Sequence, residues 1–246
     1  WHGLVMHAVA RGLGGLENLS LIPGTVGAAP VQNIGAYGAE LKDTLTRVRA
    51  FDLSAGAFAT LDNCDCGFGY RDSVFKTTHR GRYIITAVQF ALGRQPELNT
   101  GYDALRAELA RRSGDAPPSV ADISAAVCAV RRSKLPDPAE IGNAGSFFKN
   151  PVVGPAQLER LLAGHPALPH YPLPDGSAKL AAGWLIEQAG YKGARRGAAG
   201  MHARQALVLV NHGGATGAEL WAFAQEVREA VRTRFGVVLE PEVNRI

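Results

Sequence analysis

Between residues 15 and 40 the chain reads GLENLSLIPGTVGAAPVQNIGAYGAE, and this stretch rules out long regular elements across a tenth of the sequence. Its glycines and prolines interrupt a helix, and its apolar residues follow neither the helical nor the strand period. Few charges are present to solvate it. Such a segment is expected to be a tightly packed loop region, with the regular elements built elsewhere. The closely spaced glycines would also let backbone N–H groups approach a phosphate or a flat ring without a side chain in between. The stretch lacks the strand–G-x-G-x-x-G–helix order of a dinucleotide fingerprint and any G-x-x-x-x-G-K-[ST]. From these residues alone, a packed turn region and a ligand cradle both stay open.

Regular patterns flank it. A helical pattern covers 2–11, with Gly12 placed to end it. Residues 45–52 and 57–61 alternate around SAG as a hairpin, and 83–92 read as a buried strand. A short helix around 103–111 precedes one opened by the capping-box pattern SVAD at 119–122 and running to about Ser133. LPDP at 135–138 then stops the helix, since proline cannot continue it, and sets the expected boundary between domains 1–135 and 136–236. The second domain is expected to hold a strand through Val153 and helices near 155–162 and 181–189. A strand follows at 205–211, then a long helix capped by Thr216 and Glu219 that ends near Phe235 and Gly236. Residues 237–246 read as a closing strand. The alternating elements indicate an α+β fold.

Composition narrows the function classes. At 246 residues, 46% hydrophobic and 20% charged, the chain is long enough to bury a sizeable core. No apolar run approaches the roughly 18 residues of a membrane span, so no membrane partner is expected. The net charge of +4 and pI near 9.1 admit an anionic partner. The basic residues are scattered, without an aromatic-basic recognition motif, which speaks against nucleic acid; a phosphorylated small molecule fits the same balance. Cys64, Cys66 and Cys128 are too few, and odd in number, for a disulfide framework, which points to a reducing compartment. Nothing near Cys64 and Cys66 completes a tetrahedral site, so no metal is expected.

Several stretches could carry chemistry. In GNAGSFFKNP, small residues clear one side of Ser146 and two phenylalanines wall the other; a cap, a turn residue and a substrate contact are all open. FGYRDSVFK offers the donor fork of Arg71, matched to a carboxylate or phosphate, or a structural pair with Asp72. LEPEV holds Glu240 and Glu242 at strand spacing, so both point to one face. Lys192, His202 and Gln205 lie around YKGARRGAAGMHARQ, a solvated loop or an anion site.

Taken in order, GLENLSLIPGTVGAAPVQNIGAYG, FGYRDSVFK, KLPDP, GNAGSFFKNP, KLAAGWLIEQAGYKG, RQALVLVN and LEPEV resemble the UDP-N-acetylenolpyruvoylglucosamine reductase family, over essentially all 246 residues. The resemblance implies an FAD-binding domain of the PCMH or vanillyl-alcohol-oxidase type, then a smaller α/β substrate-binding domain, with the strand 237–246 returning to the flavin side. It implies a monomeric bacterial cytoplasmic flavoenzyme of peptidoglycan synthesis, with FAD as cofactor and NADPH as co-substrate. The substrate would be the enolpyruvyl ether of UDP-N-acetylglucosamine, taking a hydride from flavin N5 and then a proton. On that pattern Arg71 and Glu242 stabilise the intermediate and Ser146 delivers the proton. Tyr102, Lys134, Asn150, Lys192 and Gln205 would grip the UDP-sugar, Tyr102 from a loop that closes over it. Ile22, Pro23, Gly24, Thr25, Gly27, Ala28, Gly35 and Tyr37 would contact the flavin. Family members begin with a further segment that helps hold the flavin diphosphate. With Trp1 first, the expectation is the family without that part, and a non-catalytic UDP-sugar-binding remnant is the alternative.

Overall fold

Helices alternate with antiparallel sheets, as expected for α+β, in this computed structural model, which describes residues 1–113 and 117–244. Two units, Trp1–Ser133 and Lys134–Ile246, each enclose their own apolar core. Among the described residues no helix is long and apolar enough to cross a membrane.

The first unit begins with α1 (His2–Val9), which buries Val5 and Ala8. The 15–40 stretch then forms two 3-10 turns, Glu17–Leu19 and Ala29–Gln32, and a small hairpin of β1 (Gly35–Ala36) and β2 (Ala39–Glu40). Its apolar residues, Leu16, Leu19, Ala29 and Ile34, enter the core beside Val48 and Leu61. That core is roofed by a sheet of β3 (Leu45–Asp52), β4 (Ala57–Asp62) and β5 (Tyr83–Phe90), with β3 in the centre. Leu45 and Val48 would fall on opposite faces of a regular strand. A register shift between Leu45 and Arg47 against β5 turns both inward.

Helices α2 (Asp103–Ser113) and α3 (Val120–Lys134) bring Leu105, Leu109, Ile123, Ala126 and Val127 into a smaller core, against which Tyr37 and Leu98 pack. The expected capping box opens α3. Asp122 Oδ2 accepts from Ser119 N at 2.9 Å and Ser119 Oγ accepts from Asp122 N at 3.3 Å.

In the second unit β6 (Gly142–Ser146) lies at the edge of a four-stranded sheet with β10 (Arg195–Arg196), β11 (Ala199–Met201) and β12 (Val208–Asn211), in the order β10-β11-β12-β6. A second sheet, unforeseen apart from the strand at Val153, is built from β7 (Val152–Val153), β8 (His170–Pro172) and β9 (Ala178–Leu180). Helices α4 (Pro155–Gly164), α5 (Ala182–Gln188) and α6 (Gly217–Phe235) supply Leu161, Leu185, Ile186, Val227 and Val231 to the core around Phe148. Thr216 and Glu219 cap α6 reciprocally, and Gly236, with φ of 64°, ends it in the left-handed conformation that glycine adopts without strain.

Three strand expectations change. Where 83–92 was expected as a buried strand, β5 ends at Phe90 and none of its residues is buried, Ile84 being 54% exposed. β12 starts at Val208 rather than 205, because Gln205 closes a turn whose carbonyl accepts from Val208 N at 3.1 Å. The expected strand 237–246 is reduced to one isolated bridge, Phe148 to Pro241, with residues 245–246 outside the described part. Pro241 has no N–H, and it occupies the rung that needs none; its neighbours carry the hydrogen bonds, Lys149 N to Glu240 O at 2.9 Å and Glu242 N to Phe147 O at 2.8 Å.

Phe148 is fully buried at the centre of the second core. Phe148→Ala should destabilise the protein by about 3–5 kcal/mol, read as a lowered urea midpoint. In the first unit Arg82 donates to both carboxylate oxygens of Asp52, at 2.6 to 3.1 Å, and holds that carboxyl at about 2. A free aspartate titrates near ~3.9. The contribution of this pair is therefore present above about pH 4 and lost as pH falls toward 2. Arg82→Ala should flatten stability against pH over that window, as measured by urea midpoints at several acidic pH values.

Candidate functional site

Arg71 sits in a two-residue turn closed by the bridge between Gly69 and Asp72. Its φ is +54°, a backbone conformation that a side chain this bulky rarely adopts. The turn sends the side chain back onto the β1–β2 hairpin, where it is only 17% exposed. Nη2 donates to the carbonyl of Gly35 and Nη1 to that of Asn33 at 3.5 Å; the Tyr70 ring lies 5.2 Å from the guanidinium carbon. A Cβ on Gly35 would lie 2.6 Å from Nη1, so glycine is what leaves the guanidinium room.

Asn33 and Glu40, to which the sequence reading gave no role, surround this group. Asn33 is completely buried. Its Nδ2 donates to Glu40 Oε2 at 3.1 Å and to Gly69 O at 2.9 Å, while its Oδ1 accepts from Lys42 N at 3.0 Å. The other carboxylate oxygen of Glu40 is 3.9 Å from Arg71 Nη1. A signal was available: residues 15–40 hold two carboxylates, Glu17 and Glu40, and no Lys or Arg, so a buried acid there needs a partner from elsewhere.

The residues expected at the flavin form an open loop in the same unit. Leu21, with φ of 58°, leads into it, fixed by its N–H donating to His2 Nδ1 at 3.0 Å. Of the loop amides, Ala28 N donates to Thr25 Oγ1 at 3.3 Å. Among the described residues, the N–H groups of Ile22, Gly24, Thr25 and Gly27 have no acceptor in the chain; Pro23 has none to offer. Gly27 runs close under β5, where a Cβ would come 3.1 Å from Ile85 O. A run of uncommitted amides on glycine-rich backbone fits a flavin's diphosphate and ring carbonyls.

Tyr37, with φ of 48°, carries the hydroxyl whose pKa burial pushes upward, against a smaller downward pull from Arg131. The Tyr102 ring meets it edge to face at 5.2 Å, and Tyr102 is otherwise exposed. Asn18 Nδ2 donates to both Tyr37 O and Asn99 O at 2.9 Å, tying the Tyr102 loop to the hairpin.

In the second unit Ser146 ends β6 opposite Val208. The next residue is bonded on both sides: Phe147 N donates to Leu207 O at 2.8 Å, and Phe147 O accepts from Glu242 N at 2.8 Å. Ser146 is thus paired with β12, while Glu242 meets the next residue, Phe147, from the segment of the isolated bridge. The Phe147 and Phe148 rings pack edge on at 5.0 Å, and Phe147 lies 6.4 Å from Trp221. Glu240 is turned to Lys149 Nζ at 2.7 Å.

Asn150 and Gln205 both lie at the start of α5. Asn150 Oδ1 accepts from Ala182 N at 2.9 Å, and Gln205 Oε1 lies 3.2 Å from where a Cβ on Gly183 would stand. Lys192 is apart from them, paired with Glu187 at 2.8 Å. Lys134, at the end of α3, is exposed. His202 has a buried Nδ1 without a partner among the described residues, and burial, then Arg204 and His212, press its pKa down toward the neutral form. Among the described residues no group of three His, Cys, Asp or Glu could hold a metal, and burial pushes the Cys66 thiol up to about 11.

Two family models match the chain: one described as UDP-N-acetylenolpyruvoylglucosamine reductase, C-terminal domain, over residues 137–246, and one described as FAD binding domain, over residues 1–62. Curated proteins named UDP-N-acetylenolpyruvoylglucosamine reductase are similar along nearly the whole chain. The Chromobacterium violaceum protein is 60% identical over 98% of this chain and 71% of its own length. The Ralstonia nicotianae protein is 57% identical over 98% of this chain and 70% of its own. The crystal structure of UDP-N-acetylenolpyruvylglucosamine reductase from Thermus caldophilus superposes with a TM-score of 0.64 at 27% identity, covering 98% of this chain and 67% of that one.

Since Gly35 leaves space for the Arg71 guanidinium, Gly35→Ala should push it aside and destabilise the protein by about 1–3 kcal/mol, the usual cost of overpacking. An unchanged urea midpoint would show that the contact yields freely.

Proposed function

The chain belongs to the UDP-N-acetylenolpyruvoylglucosamine reductase family, and from that premise we propose how its residues carry out the family's reaction: reduction of the enolpyruvyl ether of UDP-N-acetylglucosamine to UDP-N-acetylmuramate. FAD is the cofactor and NADPH the co-substrate. The match to an FAD binding domain over residues 1–62 favours this over a UDP-sugar-binding module without catalysis. The observation that supports the assignment of roles is the hydrogen bond from Glu242 N to the carbonyl of Phe147, the residue after Ser146, which joins the two stretches of chain.

FAD would be held by the 22–28 loop with Gly35 and Tyr37 and, once reduced by NADPH, would supply the hydride for the terminal carbon of the enolpyruvyl group. That addition leaves negative charge on the neighbouring carbon and its carboxylate, so donors and positive charge have to be in place before it develops. Arg71 takes this part, its guanidinium already immobilised by backbone carbonyls rather than recruited from solvent. Glu242 stands near the carboxylate and stabilises the protonated enol form. Ser146 gives its proton to the carbon. A serine hydroxyl is a very weak acid, so it does this only for a strongly basic carbon held in contact with it. Gly142, Ala144 and Gly145 leave that approach clear, while the buried Phe147 and Phe148 fix the backbone that carries the hydroxyl.

The UDP-sugar is bound by donors. Asn150 and Gln205 commit their side-chain oxygens to the backbone amides of Ala182 and Leu207, which leaves their NH2 groups for an anionic ligand. Lys134 and Lys192 add positive charge for the diphosphate, and Tyr102 closes from its loop. The flavin is held by Ile22, Pro23, Gly24, Thr25, Gly27, Ala28, Gly35 and Tyr37. The enzyme is read as a monomer acting on a small molecule in the bacterial cytoplasm.

Ser146→Ala tests the acid role. In rapid mixing of the flavin-loaded protein, reduction by NADPH should stay within about twofold of the unaltered protein, while reoxidation by the enolpyruvyl substrate slows by about 10²–10⁴-fold. Equal losses in the two half-reactions would remove Ser146 from proton delivery.

A further inference from the structure

We propose that Asn33 and Glu40 are positioning residues for Arg71, which aim its guanidinium at the carboxylate of the enolpyruvyl group; the inference rests on the reaction assigned above. An arginine side chain has several free torsions, and a fork of donors discriminates only if those torsions are fixed. Two carbonyls and the Tyr70 ring hold part of the group. Glu40 supplies the charge that completes the alignment.

The carboxylate of Glu40 has little choice of orientation. Its Oε2 is taken by Asn33 Nδ2 and by Lys42 Nζ, both at 3.1 Å, which turns Oε1 toward Arg71. At 3.9 Å that contact is an ion pair too long for a hydrogen bond, so it attracts the guanidinium without consuming one of its N–H groups. Lys42 and Arg71 share the carboxylate of Glu40, so its charge is divided between two cations and does not bind Arg71 alone.

Asn33 in turn fixes Glu40. It is fully buried, and it ties the hairpin to the Gly69 carbonyl two residues before Arg71. Both Asn33 and Arg71 hold left-handed backbone, at φ of 44° and 54°. Asparagine tolerates this region and arginine does so poorly. Strain of this kind persists where surrounding contacts over-determine it, and it gathers at reactive sites.

Glu40→Gln keeps the shape and an acceptor for Asn33 while removing the charge, and Glu40→Asp returns the charge on a shorter stem. In the flavin-loaded protein, Glu40→Gln should slow reoxidation by the enolpyruvyl UDP-sugar about tenfold more than it slows reduction by NADPH, with part of the difference recovered in Glu40→Asp. Asn33→Asp, which sets a second carboxylate against Glu40, should give the same split; should it fail to fold, Glu40→Gln decides alone. Half-reactions of Glu40→Gln that fall together, or that both stay unchanged, would overturn the positioning role. If the unaltered protein is reduced by NADPH but not reoxidised by the enolpyruvyl substrate, it is the assigned reaction that fails.

Discussion

Asn33 ties its own stretch to the nearby segment 40–42 and to the turn at Gly69, 36 residues on: its amide donates to Glu40 and to the carbonyl of Gly69 and accepts from the N–H of Lys42. Because no water reaches it, any of these bonds left unmade would cost about 1–3 kcal/mol with no solvent substitute. The glycine- and proline-rich stretch forms no long element of its own, so its shape comes from such side-chain bonds and from the apolar residues it lends to the core. The position of Arg71 follows from that shape.

The two units place their proposed reactive groups in a similar way. Each builds a sheet over an apolar core and carries these residues where regular structure stops: Arg71 in a tight turn, Ser146 on the last residue of β6, Glu242 just past a single bridge. Regular elements give rigidity, and their ends free the side chains from the alternation of the strand. The flavin-loop amides follow the same logic, since an irregular backbone leaves N–H groups that a helix or sheet would have used.

Helix limits were legible where a cap announced them, at Ser119 with Asp122 and at Thr216 with Glu219, because a hydroxyl and a carboxylate three residues apart satisfy the same orphan amides in sequence as in space. The hairpin 45–62 was legible from its alternation. The sheet of β7, β8 and β9 was not, since strands of two or three residues show no period. Nor was the reduction of 237–246 to a single bridge, since its apolar residues read the same in a strand as in a segment packed on the core. The proposed roles of Ser146, Arg71 and Glu242 come from the seven matching motifs; the residues alone left each open to a structural role. Left-handed backbone at Leu21, Tyr37 and Arg71 carries no signal in residue type, because these are the side chains that avoid it.

The chain at Ser146 is held by its pairing with Val208 and by the next residue, Phe147, whose N–H donates to Leu207 O and whose carbonyl accepts from Glu242 N. Its conformational freedom is therefore given up when the protein folds, not when substrate arrives. Side chains that close on a ligand spend part of the binding free energy on their own immobilisation, commonly about 0.5–1.5 kcal/mol each. In the proposed role of Ser146, a backbone already locked in place would spare the substrate that cost and leave more of the affinity of the UDP-sugar to bring its reacting carbon against the hydroxyl.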